Sequence, residues 1–289
     1  MLLHFGEAAC QEVTRAGGKG ASLARMTGLG LPVPPGFVVP AGVLTEVVDA
    51  RELRAALPDH ERAQAIVAGA RVPDEVAEAY AALGDDPPVA VRSSACAEDS
   101  ESASYAGQQE TFLHVRGADA VRDRVRDCWA SFFSERAIFY RQKMGSLDDL
   151  GMAVVVQRMV RAEVAGVLFT CDPVRGRRDR MVVEAVLGLG EAAVSGQVTP
   201  DHYILKRDGT VRKAQVAQQP LAIVPLAGGG VEERELGPEG GEQKLDEEQL
   251  RELARIGDDL EQRLGGPQDI EWALEGGEIY VLQARPVTT

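Results

Sequence analysis

The sequence predicts an α+β fold in two parts, the first mostly helical and the second built mostly of strands. Three observations carry this expectation. Apolar residues across 41–83 recur near every 3.6 residues, short apolar runs of strand length follow one another after Gly151, and one amphipathic helix precedes a closing hairpin. The change of texture near 150–160 sets the expected division, 1–157 and 158–289, with the connection near Gln157 to Val160.

Each element has a local reason. Ala16-Gly17-Gly18-Lys19-Gly20-Ala21-Ser22 leads into a short helix that ends at Leu31-Pro32-Val33-Pro34-Pro35-Gly36, and Phe37-Val38-Val39 follows as a strand. Pro58 and Pro73 break 41–83 into two or three helices. Residues 89–94 form a buried strand ending in polar residues. Residues 98–109, rich in Ser, Ala, Gly and acid without any period, form a mobile loop. Residues 111–115 alternate as a strand, and 119–144 make a long helix or a helix pair. Strands are expected at 152–159, 164–170, 181–186, 202–206 and 210–217, and the Gly-rich stretch 226–241 as a mobile excursion. Asp246 with Gln249 has capping-box spacing. Leu250, Leu253, Ile256, Leu260 and Leu264 form one helical stripe closed by Gly265-Gly266.

Composition narrows the function. At 289 residues the chain buries enough surface to need no disulfide or metal staple. The 45% hydrophobic and 26% charged fractions are globular values. A net charge of −14 with no basic block speaks against nucleic-acid and anionic-membrane binding. Cys10, Cys96, Cys128 and Cys171 stand singly, with no Cys-x-x-Cys pair, and read as reduced structural residues. The start lacks a basic region followed by an apolar core, so a cytoplasmic protein is expected.

Three segments carry candidate chemistry. Gly17-Gly18-Lys19-Gly20 offers backbone N–H groups and a mobile cation to phosphate oxygens, although it is not a Walker A sequence and a bland exposed turn has the same composition. In Val91-Arg92-Ser93-Ser94, Arg92 either grips a phosphate bidentately or makes a surface salt bridge. The terminal hairpin pairs Asp269-Ile270-Glu271-Trp272 with Leu282-Gln283-Ala284-Arg285. A three-residue loop of Gly276, Gly277 and Glu278 would set Glu271 opposite Gln283, with Asp269 and Arg285 on the same face. Such hard oxygen ligands suit Mg²⁺ held jointly with nucleotide phosphates, and a merely solvated charged face would look similar.

The ordered set is more specific than its parts: GGKG, VRSS, Ala106-Gly107-Gln108-Gln109-Glu110-Thr111, Val156-Gln157-Arg158-Met159-Val160, the run 165–173 (AGVLFTCDP), Gly188-Leu189-Gly190-Glu191, and DIEW followed by LQARP. It resembles the nucleotide-binding domain of the pyruvate phosphate dikinase and phosphoenolpyruvate synthase family, also found in rifampicin phosphotransferase. The resemblance implies an ATP-grasp-like fold of two lobes clamping ATP, an N-terminal lobe of 1–157 and a C-terminal lobe of 158–289. Carried over by motif, Lys19 and Arg92 would contact the phosphates, and Gly107 and Thr111 would belong to a loop folding over them. Gln157 and Val160 would meet the adenine, and Glu184 would lie near the nucleotide. Glu271 and Gln283 would bind Mg²⁺ with support from Asp269, and Arg285 would stabilise charge on the transferring group.

The resemblance also implies a partner. Family enzymes carry a swivelling domain whose His accepts the phosphoryl group, and a further site for the small-molecule acceptor. His4, His60, His114 and His202 all lack a Gly/Thr-rich phosphocarrier context, so the accepting His is expected on a separate domain or subunit. The expected reaction converts ATP to AMP and phosphate with transfer to that His. Two other readings stay open at this point: a stand-alone ATP-grasp kinase or ligase acting directly on a small acceptor, and a nucleotide-binding module without turnover.

Overall fold

The computed structural model describes residues 1–96, 110–143 and 147–287, so the expected loop at 98–109 and Gly107 lie outside the described residues. The architecture is mixed α+β, gathered into two compact units. The first comprises Met1–Gly30, Pro35–Met159 and Gly228–Gly230, the second Leu31–Pro34, Val160–Ala227 and Val231–Thr289.

The first unit runs β1 (Leu3–His4), α1 (Val13–Gly28), β2 (Gly36–Val39), α2 (Val43–Val47), α3 (Ala50–Ala56), α4 (His60–Ala68), α5 (Glu75–Ala82), β3 (Val89–Ser94), β4 (Thr111–Val115), α6 (Ala118–Ser131), α7 (Glu135–Lys143) and β5 (Ala153–Arg158). Where two or three helices were expected over 41–83, four short ones form. An acidic cap accounts for the extra break: Asp49 accepts from the N–H groups of Arg51 and Glu52, while Asp59, next to Pro58, accepts from that of Arg62. The 119–144 segment resolves as the helix pair α6 and α7.

Five strands pair antiparallel in the order β1-β2-β5-β3-β4. One face presents Phe37, Val39, Val89, Val91, Val154 and Val156 to a core that includes Leu53, Val76, Trp129 and Phe133. The alternate residues, Val38, Arg92, Val155 and Gln157, share the other face by register. On that face lies α1, so closely that a Cβ on Gly20 would stand 2.9 Å from Val38 Cγ2.

The second unit runs β6 (Val164–Phe169), β7 (Arg180–Leu187), α8 (Glu191–Val194), β8 (Asp201–Lys206), β9 (Val211–Gln215), β10 (Leu221–Pro225), β11 (Val231–Glu235), α9 (Glu247–Leu264), β12 (Gln268–Glu275) and β13 (Glu278–Pro286). Six strands form an antiparallel sheet in the order β13-β12-β6-β7-β8-β9. The α9 capping box forms as the spacing predicts: Gln249 N–H donates to Asp246 Oδ1 at 2.8 Å, and Asp246 N–H to Gln249 Oε1 at 2.9 Å. Leu250, Leu253, Ile256 and Leu260 are buried, each stabilising the unit by roughly 1.5–3 kcal/mol. The helix packs on β6, β12 and β13, so closely that a Cβ on Gly257 would stand 2.8 Å from Leu168 Cδ2 and 3.5 Å from Met181 Sδ.

The expected excursion at 226–241 is instead largely ordered. β10 and β11 pair antiparallel from Leu221↔Glu235 to Pro225↔Val231, and a 3₁₀ turn follows at Pro238–Gly241. Ala222 and Ile223 are buried, and Gly188 bridges to Ile223, so apolar anchoring overrides the glycine-rich composition. Among the described residues no helix is long and apolar enough to cross a membrane.

Candidate functional site

The Gly17-Gly18-Lys19-Gly20 segment is not an exposed turn. It lies within α1, which kinks at Gly17 (φ 69°, ψ 174°). Ser94 at the end of β3 holds the kink: its Oγ donates to Ala16 O at 2.9 Å and accepts from Gly20 N–H at 3.2 Å, while Gly18 N–H donates to Ala95 O at 3.0 Å. A Cβ at position 17 would fall 2.2 Å from both the Ser94 carbonyl oxygen and its Oγ, so glycine is required twice, by its positive φ and by this approach. The result is a buried Lys19, 8% exposed.

Arg92 is likewise buried, at 9% exposure. Thr111 stands opposite it on β4 and is exposed. Gln157, 3% exposed, faces Ala90 of β3 and Gly36 of β2, on the same sheet face as Arg92. Burying Lys, Arg and Gln together is uncommon in a purely structural region.

In the second unit, Glu271 stands directly opposite Gln283, as expected, although the hairpin achieves this differently. The turn is two residues, Gly276 and Gly277 at φ 60° and 85°, so Glu275 pairs with Glu278 rather than with Ile279. The extra residue sits further along as a bulge. Trp272 faces Val281, Glu271 faces Gln283, and Leu282 is passed over. Asp269 faces Arg285, whose Nε and Nη2 both donate to Asp269 Oδ2 at 2.8 Å. Burial raises the Asp269 carboxyl above its ordinary range; Arg285 pulls against this shift and Glu271 adds to it.

The register extends the hairpin's polar line across the sheet. Glu271 pairs with Val167, Val167 with Glu184, and Glu184 with His202. All are half-buried on the face that α9 leaves open. To one side of this line, along the strands, lies a small apolar patch of Val160, Ala165 and Ala273 with Ala162, Tyr280 and Leu282 packed against it; to the other side lies the Asp269–Arg285 pair. Sequence reasoning did not anticipate Ser94 as the anchor of the glycine kink, or His202 on this line. A Ser two residues beyond Arg92 on β3 was a signal for the former; the latter needs the strand register.

Residues 13–289 match the family described as pyruvate phosphate dikinase, AMP/ATP-binding domain. The chain belongs to that family. A probable phosphoenolpyruvate synthase of Methanothermobacter thermautotrophicus is 41% identical, over 99% of this chain and 46% of the relative. Phosphoenolpyruvate synthase of Pyrococcus furiosus is 38% identical over 99% of this chain and 43% of the relative. Rifampicin phosphotransferase of Bacillus cereus is 37% identical over the full chain and 36% of the relative. The chain therefore spans less than half the length of these curated relatives. Within this AMP/ATP-binding domain, Lys19, Arg92 and Gln157 fall in the first unit, and Val160, Glu184, Asp269, Glu271, Gln283 and Arg285 in the second.

Proposed function

We propose that the chain is the ATP-binding, phosphoryl-donating component of a dikinase-type phosphotransferase. The observation that supports this most is the pairing of Glu271 with Gln283, with Arg285 on the same face, in a member of an AMP/ATP-binding family. A carboxylate and an amide side by side form a hard oxygen donor set that fits Mg²⁺. Bound there, Mg²⁺ would neutralise charge on the triphosphate oxygens.

The chain's own residues have complementary tasks. Lys19 and Arg92 grip phosphate oxygens, and their burial raises the strength of that attraction by lowering the local dielectric. Gly107 and Thr111 cover the triphosphate, Gln157 and Val160 receive the adenine, and Glu184 lies beside the nucleotide. Asp269 fixes the Arg285 guanidinium through one carboxylate oxygen, leaving other N–H donors for the group in flight. Phosphoryl transfer gains most from such positioning and charge stabilisation.

The acceptor in this reading is a His on a separate swivelling domain or subunit, which passes the group to a small molecule. ATP, water and the imidazole become AMP, inorganic phosphate and phosphohistidine: the α–β and β–γ P–O bonds break, the imidazole N–P bond forms with the β-phosphoryl group, and water's oxygen bonds the γ-phosphorus. The same reading places the protein in the cytoplasm. The test incubates the chain with Mg²⁺ and ATP, with and without a candidate His domain, and resolves AMP from ADP. AMP and an acid-labile phosphoryl group on the added domain are expected, and Glu271→Ala or Gln283→Ala should suppress both with little change in melting temperature. Rapid ADP formation with a small molecule alone would overturn the reading.

A further inference from the structure

The turn between β6 and β7 reverses the sign of the chain's charge locally. Arg175, Arg177, Arg178 and Arg180 lie on it with Asp172 and Asp179, and Arg212 of β9 reaches Asp179, so five arginines stand against two aspartates in a chain of net charge −14. Asp179 holds three of them, Arg177 at 3.0 Å, Arg180 at 3.2 Å and Arg212 at 3.5 Å. Arg175 and Arg178 are exposed and, among the described residues, take part in no ion pair. None of the residues assigned above to the nucleotide lies on this turn.

The turn is held in one shape. Asp172 is 9% exposed, and its Oδ1 accepts from the N–H groups of Val174 at 3.1 Å and Arg175 at 3.0 Å. Asp172 N–H donates to Arg177 O at 2.9 Å, and Gly176 N–H to Asp172 O at 2.8 Å. This lifts Val174 to the tip, 89% exposed. A turn already fixed loses little further freedom when a partner binds it. An apolar knob beside arginines suits a protein contact, where arginine is enriched. At physiological salt, charges further than about 8 Å away are largely screened, so a short acidic segment meets the local arginines alone. A long polyanion would run on over the acidic remainder of the chain and be repelled.

We propose that the β6–β7 turn is a docking site for an acidic peptide segment of a partner protein. Arg175 and Arg178 pair with its carboxylates, and Val174 packs against an apolar residue between them. Asp179 keeps Arg177, Arg180 and Arg212 in place as a positive backing that steers the segment in. This assignment is independent of the nucleotide reading.

The test titrates the full chain into a fluorescein-labelled synthetic peptide of glutamates around a central leucine, read by anisotropy at low and physiological salt. Saturable binding that weakens with salt is expected, and the same peptide with glutamine in place of glutamate should not bind. The double variant Arg175→Glu/Arg178→Glu should weaken binding about tenfold or more, the scale of two exposed charge pairs lost, with the melting temperature unchanged. Val174→Asp should weaken it several-fold. No saturable binding, or binding that the double variant leaves intact, overturns the proposal. Tighter binding of an oligothymidylate of the same length overturns it in favour of nucleic acid. Sedimentation of wild type alone as a dimer that the double variant does not form overturns it in favour of a second copy of this chain.

Discussion

Glu271 meets Gln283 because Leu282 bulges out of the ladder between β12 and β13. Without an extra residue somewhere in the hairpin, a two-residue turn would set Glu271 against Leu282 and send Gln283 to the face that α9 covers. The glycine pair fixes a tight turn, and the bulge then restores the phase of the polar residues.

Deleting Leu282 tests this directly. Val281 would still face Trp272, and Gln283 would follow it opposite Glu271 in an unbroken ladder. We expect Mg²⁺-dependent ATP affinity to remain within a few-fold of wild type. The melting temperature should fall modestly, because Leu282 packs against the Val160–Ala165–Ala273 patch. Deleting Gly277 instead leaves a Gly276–Glu278 turn that sends the buried Ile279 and Val281 to the opposite face, and should lower the melting temperature more. Equal loss in both deletions would show that the bulge does more than set register.

Gly17→Ala should be strongly destabilising. The φ 69°, ψ 174° backbone lies in a region essentially reserved for glycine and costs another residue roughly 1–3 kcal/mol, and the new Cβ would fall 2.2 Å from backbone and side-chain oxygens of Ser94, which must move. Because Ser94 also holds Ala16 and Gly20, the displacement should carry Lys19 with it. ATP affinity and melting temperature should fall together. Ser94→Ala, which removes the two Oγ hydrogen bonds without a clash, should lower both less.

Much of this was legible in the sequence, for identifiable reasons. The α9 stripe, its Asp246–Gln249 box and the buried strand at 89–94 are local patterns, and the fold keeps them. The hairpin face was legible in outcome but not in mechanism, because period-2 alternation fixes which residues share a face and not where an extra residue resides. The β10–β11 pairing escaped notice because its anchor, the bridge of Gly188 to Ile223, joins positions distant in the chain. The burial of Lys19 escaped for the same reason, since it depends on a contact between Gly17 and Ser94.

A buried ion pair ties the segment after β11 to the second sheet. Lys244 Nζ lies 3.2 Å from Asp201 Oδ1, with side chains 1% and 0% exposed, and Nζ donates to Ala217 O and Gly240 O. Asp201 also accepts from Tyr203 O–H and from the N–H groups of Ala217 and Lys244. Lys244→Met would leave that carboxylate buried without its counter-charge. A loss of about 3–5 kcal/mol in unfolding free energy is expected from denaturant titration. The double variant Lys244→Met/Asp201→Asn should recover part of it, whereas no recovery would mean that the packing of Lys244 matters more than its charge.

Asp269 should leave a pH signature of definite sign. Its carboxyl is raised from 3.8, chiefly by burial, so the folded chain binds the proton more tightly than the unfolded chain. Stability from this group is therefore fully present below the unfolded value and is lost as pH rises through the folded one. Comparing wild type with Asp269→Asn removes every other titrating group from the balance except the lost partner of Arg285. The stability difference should move in favour of wild type as pH is lowered through the raised folded value toward the ordinary 3.8, and be flat above the folded value. Urea unfolding of both proteins at several pH values measures it. A difference that instead favours wild type increasingly as pH rises would mean that the Arg285 ion pair outweighs burial. Asp269 would then belong with the charge-paired surface acids such as Asp179, which Arg180 and Arg177 hold below the usual carboxylate range.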